Sequence, residues 1–181
     1  SMLGYGSLSG SYAGVWDTRG PSFHIDSKVE RLNIHQGNVK DMKVAMTYET
    51  GKLDVMATVE NEQMQGGVLL AYDLSDSLNF LSTRGQLRID ELAAFGLDIK
   101  GGQEALETSF EIIHAGQENK SFTNLSLTDF KYTCDTATFT IDKISMEDNQ
   151  KGDHNTTTLK SDVVDLFISG NFRELRPAPF V

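Results

Sequence analysis

Between Asp41 and Asp73 the chain alternates apolar and polar residues three times over, which leaves few folds open to it. Met42, Val44, Met46 and Tyr48 fall on one parity, with Asp41, Lys43, Ala45, Thr47 and Glu49 on the other. After Thr50-Gly51, Leu53, Val55, Ala57 and Val59 alternate with Lys52, Asp54, Met56, Thr58 and Glu60. A third run puts Met64, Val68, Leu70 and Tyr72 on one side, around Gly66-Gly67. A side-chain period of two describes strands with one apolar and one wet face. The short polar breaks at Glu49-Thr50-Gly51 and Glu60-Asn61-Glu62 suit antiparallel hairpins. The stretch is therefore expected to be a meander.

The same texture recurs in both directions. Leu3–Val15 reads as a strand rich in small residues, and Trp16–Pro21 as a turn cluster. Phe23, Ile25, Ser27 and Val29 share one parity, but Leu32 and Ile34 take the other. This one-residue phase slip predicts a bulge or bend. Phe110 and Ile112 continue an alternation that begins at Leu106. Leu125 and Leu127 oppose Phe130, Tyr132 and Cys134, and Phe139 and Ile141 slip against Ile144 and Met146. The last run carries Val164, Leu166, Ile168 and Phe172 on one side. Residues 91–96 fit a short helix ended by glycine, with a strand continuing through Leu97 and Ile99 as the preferred reading. Glu147–Asn155 reads as a long polar hairpin tip. A Leu/Ile-Ser-Gly-x-aromatic ending occurs in both Leu8–Tyr12 and Ile168–Phe172, a weak echo of a repeating β design.

About a dozen strands with short links make an all-β chain. Inward faces of a β-sandwich would produce the same alternation. Two details pull away from a sandwich core: the apolar parity is rich in Met (Met42, Met46, Met64, Met146), an adaptable side chain suited to variable apolar ligands, and the strands follow one another as hairpins with few of the long crossovers that Greek-key sandwiches require.

The formal net charge of −10 argues against nucleic acid, whose phosphates require clustered Lys and Arg. No apolar run reaches the roughly 18 residues that a membrane-spanning helix needs. His24, His35, His114 and His154 stand at no metal-ligand spacing, and Cys134 has no activating neighbour in sequence. Gly66-Gly67 and Gly101-Gly102 open no helix, so bulges or turns explain them better than phosphate loops. The acidic residues are scattered over polar parities. Asn119, Asn124 and Asn155 stand in Asn-x-Ser/Thr triplets, relevant only in a secreted eukaryotic protein. No enzyme activity, cofactor or metal is expected.

Leu125–Met146 and Leu159–Phe172 resemble segments of TamB-like proteins of the AsmA-like superfamily, as found in Bacteroides-type bacteria. There a strand pair is followed by Leu-x-Ser and an apolar strand ending in Gly-x-Phe. The resemblance implies an antiparallel meander curled into an open, taco-like hydrophobic groove. Such a groove belongs to a periplasmic protein anchored in the inner membrane, conducts phospholipids toward the outer membrane and supports outer-membrane biogenesis. The partners implied are phospholipid acyl chains and, through regions outside this segment, outer-membrane assembly proteins. Ser1-Met2 is expected to be a vector scar, residues 3–176 one groove segment, and 177–181 the start of the next.

The residues expected to line the groove are Met42, Val44, Met46 and Tyr48 in one run; Leu53, Val55 and Val59 in the next; and Val68, Leu70 and Tyr72 in the third. Phe110, Ile112, Phe139, Ile141, Val164, Leu166, Ile168 and Phe172 complete the set. The competing expectation is a β-sandwich adhesion or carbohydrate-binding module; a closed lipocalin-like barrel is the third.

Overall fold

The computed structural model describes residues 5–17, 20–74, 79–97, 102–117, 119–135 and 137–171. Phe172, the first two residues and segment 177–181 lie outside that set. Eleven strands follow one another in a single antiparallel sheet whose spatial order is its chain order. They are β1 (Tyr5–Asp17), β2 (Gly20–Ile34), β3 (Gly37–Glu49), β4 (Lys52–Glu60), β5 (Met64–Asp73) and β6 (Asn79–Ile89). After a 3-10 helix at Leu92–Phe95 come β7 (Glu104–Gln117), β8 (Lys120–Cys134), β9 (Ala137–Lys151), β10 (His154–Ser161) and β11 (Asp165–Gly170). The sheet does not close into a barrel, so β1 and β11 are its edges. Leu8–Tyr12 and the described start of its echo, Ile168–Gly170, lie on these edges.

Both predicted phase slips are present, and each is shared by a strand pair. In β2 and β3, Glu30 and Asp41 fall between the partner pairs Val29–Met42 and Arg31–Lys40, and the β1–β2 register shifts between Ser7 and Leu8. In β8 and β9, Asp129 and Asp142 fall between the partner pairs Thr128–Lys143 and Phe130–Ile141, and the β7–β8 register shifts between Glu107 and Ser109. Asp41 and Asp129 adopt left-handed backbone, at φ 55° and 54°. Asp tolerates that region because its short side chain bonds locally. Each slip sends two successive polar residues outward, so Leu32 and Val39, or Phe130 and Ile141, return to the apolar face. A bulge of this kind bends and twists a strand. Gly66 and Gly85 lie between the two slips, where a Cβ would meet Gln86 O at 2.4 Å and Gly67 O at 2.3 Å. They are neither turns nor bulges, as expected for the first pair, but close approaches in unbroken register.

The buried core sits at one end of the apolar face. Leu92, Ala94 and Phe95 of the 3-10 helix pack with Val39 and Ile89, and this cluster gathers side chains from β2 through β8. Adjacent strands are about 4.8 Å apart, so a flat sheet would spread β2 and β8 over roughly 29 Å. Their meeting in one small cluster makes the apolar face concave at that end. The Phe95 ring occupies the space a side chain at Gly37 would fill, 2.5 Å from an added Cβ. The loops at this end are also stitched together. The Gln36 N–H donates to Ala94 O at 2.9 Å. The Asn38 N–H donates to Gln63 Oε1 at 2.9 Å, and Gln63 Nε2 donates to Glu91 Oε2 at 3.1 Å.

Two local expectations are overturned. Residues 91–97 do not continue as strand: Gly96, at φ 75°, ends the 3-10 helix, and Leu97 N–H returns to Leu92 O at 3.0 Å. Burial of Leu92 and Phe95 outweighs the strand-like alternation there. Nor is Glu147–Asn155 a long tip, because β9 and β10 pair up to Lys151 and His154 and leave only Gly152-Asp153 in the turn.

The 3-10 helix plugs this end of the apolar face, and removing its aromatic anchor should be costly. Phe95→Ala is expected to lower the free energy of unfolding by about 3 kcal/mol in urea titrations, while Phe167→Ser on the exposed edge changes it by less than about 0.5 kcal/mol. The β3–β4 turn holds Thr50 at φ 51° and Gly51 at φ 80°, a primed hairpin turn with a β-branched residue where Asn is preferred. Thr50→Asn is therefore expected to stabilise the fold by about 1 kcal/mol, read from the same titrations.

Candidate functional site

Cross-strand partners share a face, so the register converts local parities into continuous rows. One row runs Val44, Ala57, Val68, Gly85, Phe110, Leu127, Ile144 across β3 to β9. The next runs Met46, Val55, Leu70, Thr83, Ile112, Leu125, Met146, Leu159, Leu166 across β3 to β11. At about 4.8 Å per strand, that second row extends roughly 40 Å along the sheet. The third begins with the stacked pair Phe23 and Tyr48, whose rings lie 5.2 Å apart, and continues through Leu53, Tyr72 and Leu81. On β7 to β10 it turns polar, as His114, Thr123, Asp148 and Thr157, before reaching Ile168 on β11.

The residues expected to line a groove thus meet on one face. Val44, Met46, Tyr48, Leu53, Val55, Val68, Leu70, Tyr72, Phe110 and Ile112 form its half-buried middle. Met42 and Val59 instead pack under the 3-10 helix, at the filled end. Ile141 is buried, and Phe139, in register with Tyr132, remains 50% exposed. Leu166 and Ile168 belong to the same face on the edge strand, 48% and 38% exposed. Val164 is a correction: it precedes β11, and its carbonyl accepts the Ser161 N–H at 2.9 Å to close a turn. Phe172 lies outside the described residues. Leu81, Leu125, Leu127, Ile144, Met146 and Leu159 complete the face and were missing from the expected set. The parity of Leu125, Leu127, Ile144 and Met146 was readable, but only the register places them beside Phe110 and Ile112.

The opposite face carries the charge. Register places the strand lysines and arginines there or at the slips, among the described residues; Lys28 reaches Asp41 at 2.6 Å and Arg88 reaches Asp90 at 2.8 Å. Among the described residues, register gives the apolar face two carboxylates, Glu104 and Asp148, and one imidazole, His114. His24 lies on the charged face, bonded to Thr47 and Asp26, and His35 sits in the β2–β3 turn at φ 57°. No three His, Cys, Asp or Glu side chains among the described residues are grouped to hold a metal ion.

Glu104 is 1% exposed and accepts a hydrogen bond from the Tyr132 hydroxyl at 2.6 Å, near the plugged end. That bond, with burial and the carboxylate charge, pushes the Tyr132 phenol well above its ordinary value. The native state then keeps a proton that the unfolded chain releases near about pH 10. Its contribution to stability is complete below that pH and is lost as pH rises through and beyond it. Denaturation midpoints should fall more steeply above about pH 10 for the wild type than for Tyr132→Phe; parallel pH profiles would contradict the bond's role.

In comparisons with protein families, curated proteins and solved structures, none matches this chain.

Proposed function

We propose that the chain is a section of an open hydrophobic groove that carries phospholipid acyl chains, within a TamB-like protein spanning the periplasm. It acts as a conduit and not as an enzyme. The observation that carries the reading is the uncovered row from Met46 to Leu166: nine strands contribute one side chain each, eight of them apolar, and no second sheet lies over them among the described residues.

An apolar surface this continuous, left open to water, marks a binding surface for something equally apolar. Each methylene withdrawn from water onto it contributes about 0.8 kcal/mol. Between β3 and β9 the middle of the face bears no charged side chain, so nothing there fixes a chain at one point along the row. Acyl chains can then be held and still slide. Met46 and Met146 suit this, because flexible thioethers adapt to chains that shift. The wet face, with its Lys and Asp pairs, keeps the outside of the groove in solution. A β-sandwich module would need a second sheet over these rows, and a lipocalin-like cup would need β1 paired with β11.

Organic extracts of the purified protein should contain phospholipid, identified by mass spectrometry. Leu70→Glu, which sets a charge in the middle of the row, should remove at least about nine-tenths of it while the strand circular dichroism is unchanged. Extracts free of lipid, with the wild-type protein folded, would count against the conduit.

A further inference from the structure

The polar end of the third row is the one part of the open face that a hydrocarbon chain alone does not explain. His114, Thr123, Asp148 and Thr157 occupy successive strands, β7 to β10, side by side. Thr157 Oγ1 donates to Asp148 Oδ1 at 2.5 Å, and His114 Nδ1 lies 2.8 Å from Thr123 Oγ1. Nearer the hairpin tips, the face continues with Ser121 and Gln150, whose side chains bond at 3.3 Å. Toward the plugged end, two residues or about 6.8 Å along each strand, the neighbours are Ile112, Leu125, Met146 and Leu159. Polar and apolar subsites therefore abut on one surface, as an amphiphile requires.

We propose that Asp148 and its row receive the head of that amphiphile, and that the head carries a protonated amine. This rests on the groove reading above and adds the class of lipid. The charge of the face decides the sign. Register sets no Lys or Arg on it among the described residues, so a head bearing only negative charge meets Asp148 with no cation to offset it. An ammonium meets a half-buried carboxylate, already oriented by Thr157, and gains a charge-assisted hydrogen bond. A phosphate next to that amine would find one free donor in the His114–Thr123 pair, the ring Nε2–H or the Thr123 hydroxyl according to the imidazole tautomer. Gly116 keeps the approach open, since a Cβ there would stand 3.2 Å from His114 Nε2. The tail then lies along Ile112, Leu125 and Met146, pointing toward the plugged end.

The test presents tail-labelled phosphatidylethanolamine and phosphatidylglycerol with identical acyl chains, each in mixed micelles, to the purified protein. The wild type should bind the amine-bearing lipid about tenfold more tightly, Asp148→Asn should abolish the difference, and Asp148→Lys should reverse it. Thermal melts of both variants establish that they fold, and the reversal cannot arise from unfolding. Equal binding of the two lipids by the wild type, or a preference that survives both substitutions, overturns the head-group site and leaves the groove standing. Binding of neither lipid overturns the groove reading and the head-group site with it.

Discussion

An eleven-stranded antiparallel sheet with one apolar face must cover that face or use it. Most β proteins cover it with a second sheet or by closure into a barrel. Here the only cover among the described residues is a 3-10 helix of four residues, Leu92–Phe95, which fills one end and leaves the middle rows open. Everything else follows from that imbalance. The buried core is small and local, backbone pairing between neighbouring strands holds the sheet, and the rows from Val44 and Met46 remain half exposed.

Curvature limits how much of the open apolar face meets water. The two slips, at Glu30/Asp41 and at Asp129/Asp142, lie in strand pairs six positions apart in the sheet. Each inserts a polar residue that turns outward, and each leaves the apolar residues on both sides of it facing the same way. With the close backbone approaches at Gly66 and Gly85 between them, they draw β2 to β8 around the plug. A concave face shelters its side chains from bulk water while its open side still admits a chain-like ligand. The same geometry explains why Glu104 is buried: it lies under the plugged end, with the Tyr132 hydroxyl as a hydrogen-bond partner.

How far the sequence could be read depended on the range of the signal. Parity is local, so the apolar sets of β3, β4 and β5 and the slips at 29–32 and 141–144 could be recognised from a few residues each. Register is not local. That Val55 stands beside Leu70, and Ile112 beside Leu125, depends on turn geometry and on bulges elsewhere, which parity alone does not encode. Residues 91–97 were misread as strand because their alternation resembles one, while the burial that makes them a plug comes from β3 and β6. His114 and Asp148 stand 34 positions apart in the sequence and two strands apart in the sheet. No spacing rule connects them, so a polar subsite could not be found before the strands were aligned. The family resemblance rested on Leu125–Met146 and Leu159–Phe172; the open single sheet is the architecture it implied, and the transport role remains a proposal.

The central claim is that the concave face, and not its reverse, meets lipid. Photo-crosslinking in cells tests it directly, with a benzophenone amino acid placed at Leu70 or Ile112 on the concave face, or at Leu69 on the reverse, where the side chain is 44% exposed. Phospholipid adducts from positions 70 and 112 and none from position 69 are expected. Adducts of equal yield from both faces, or none from the concave face, would contradict the account.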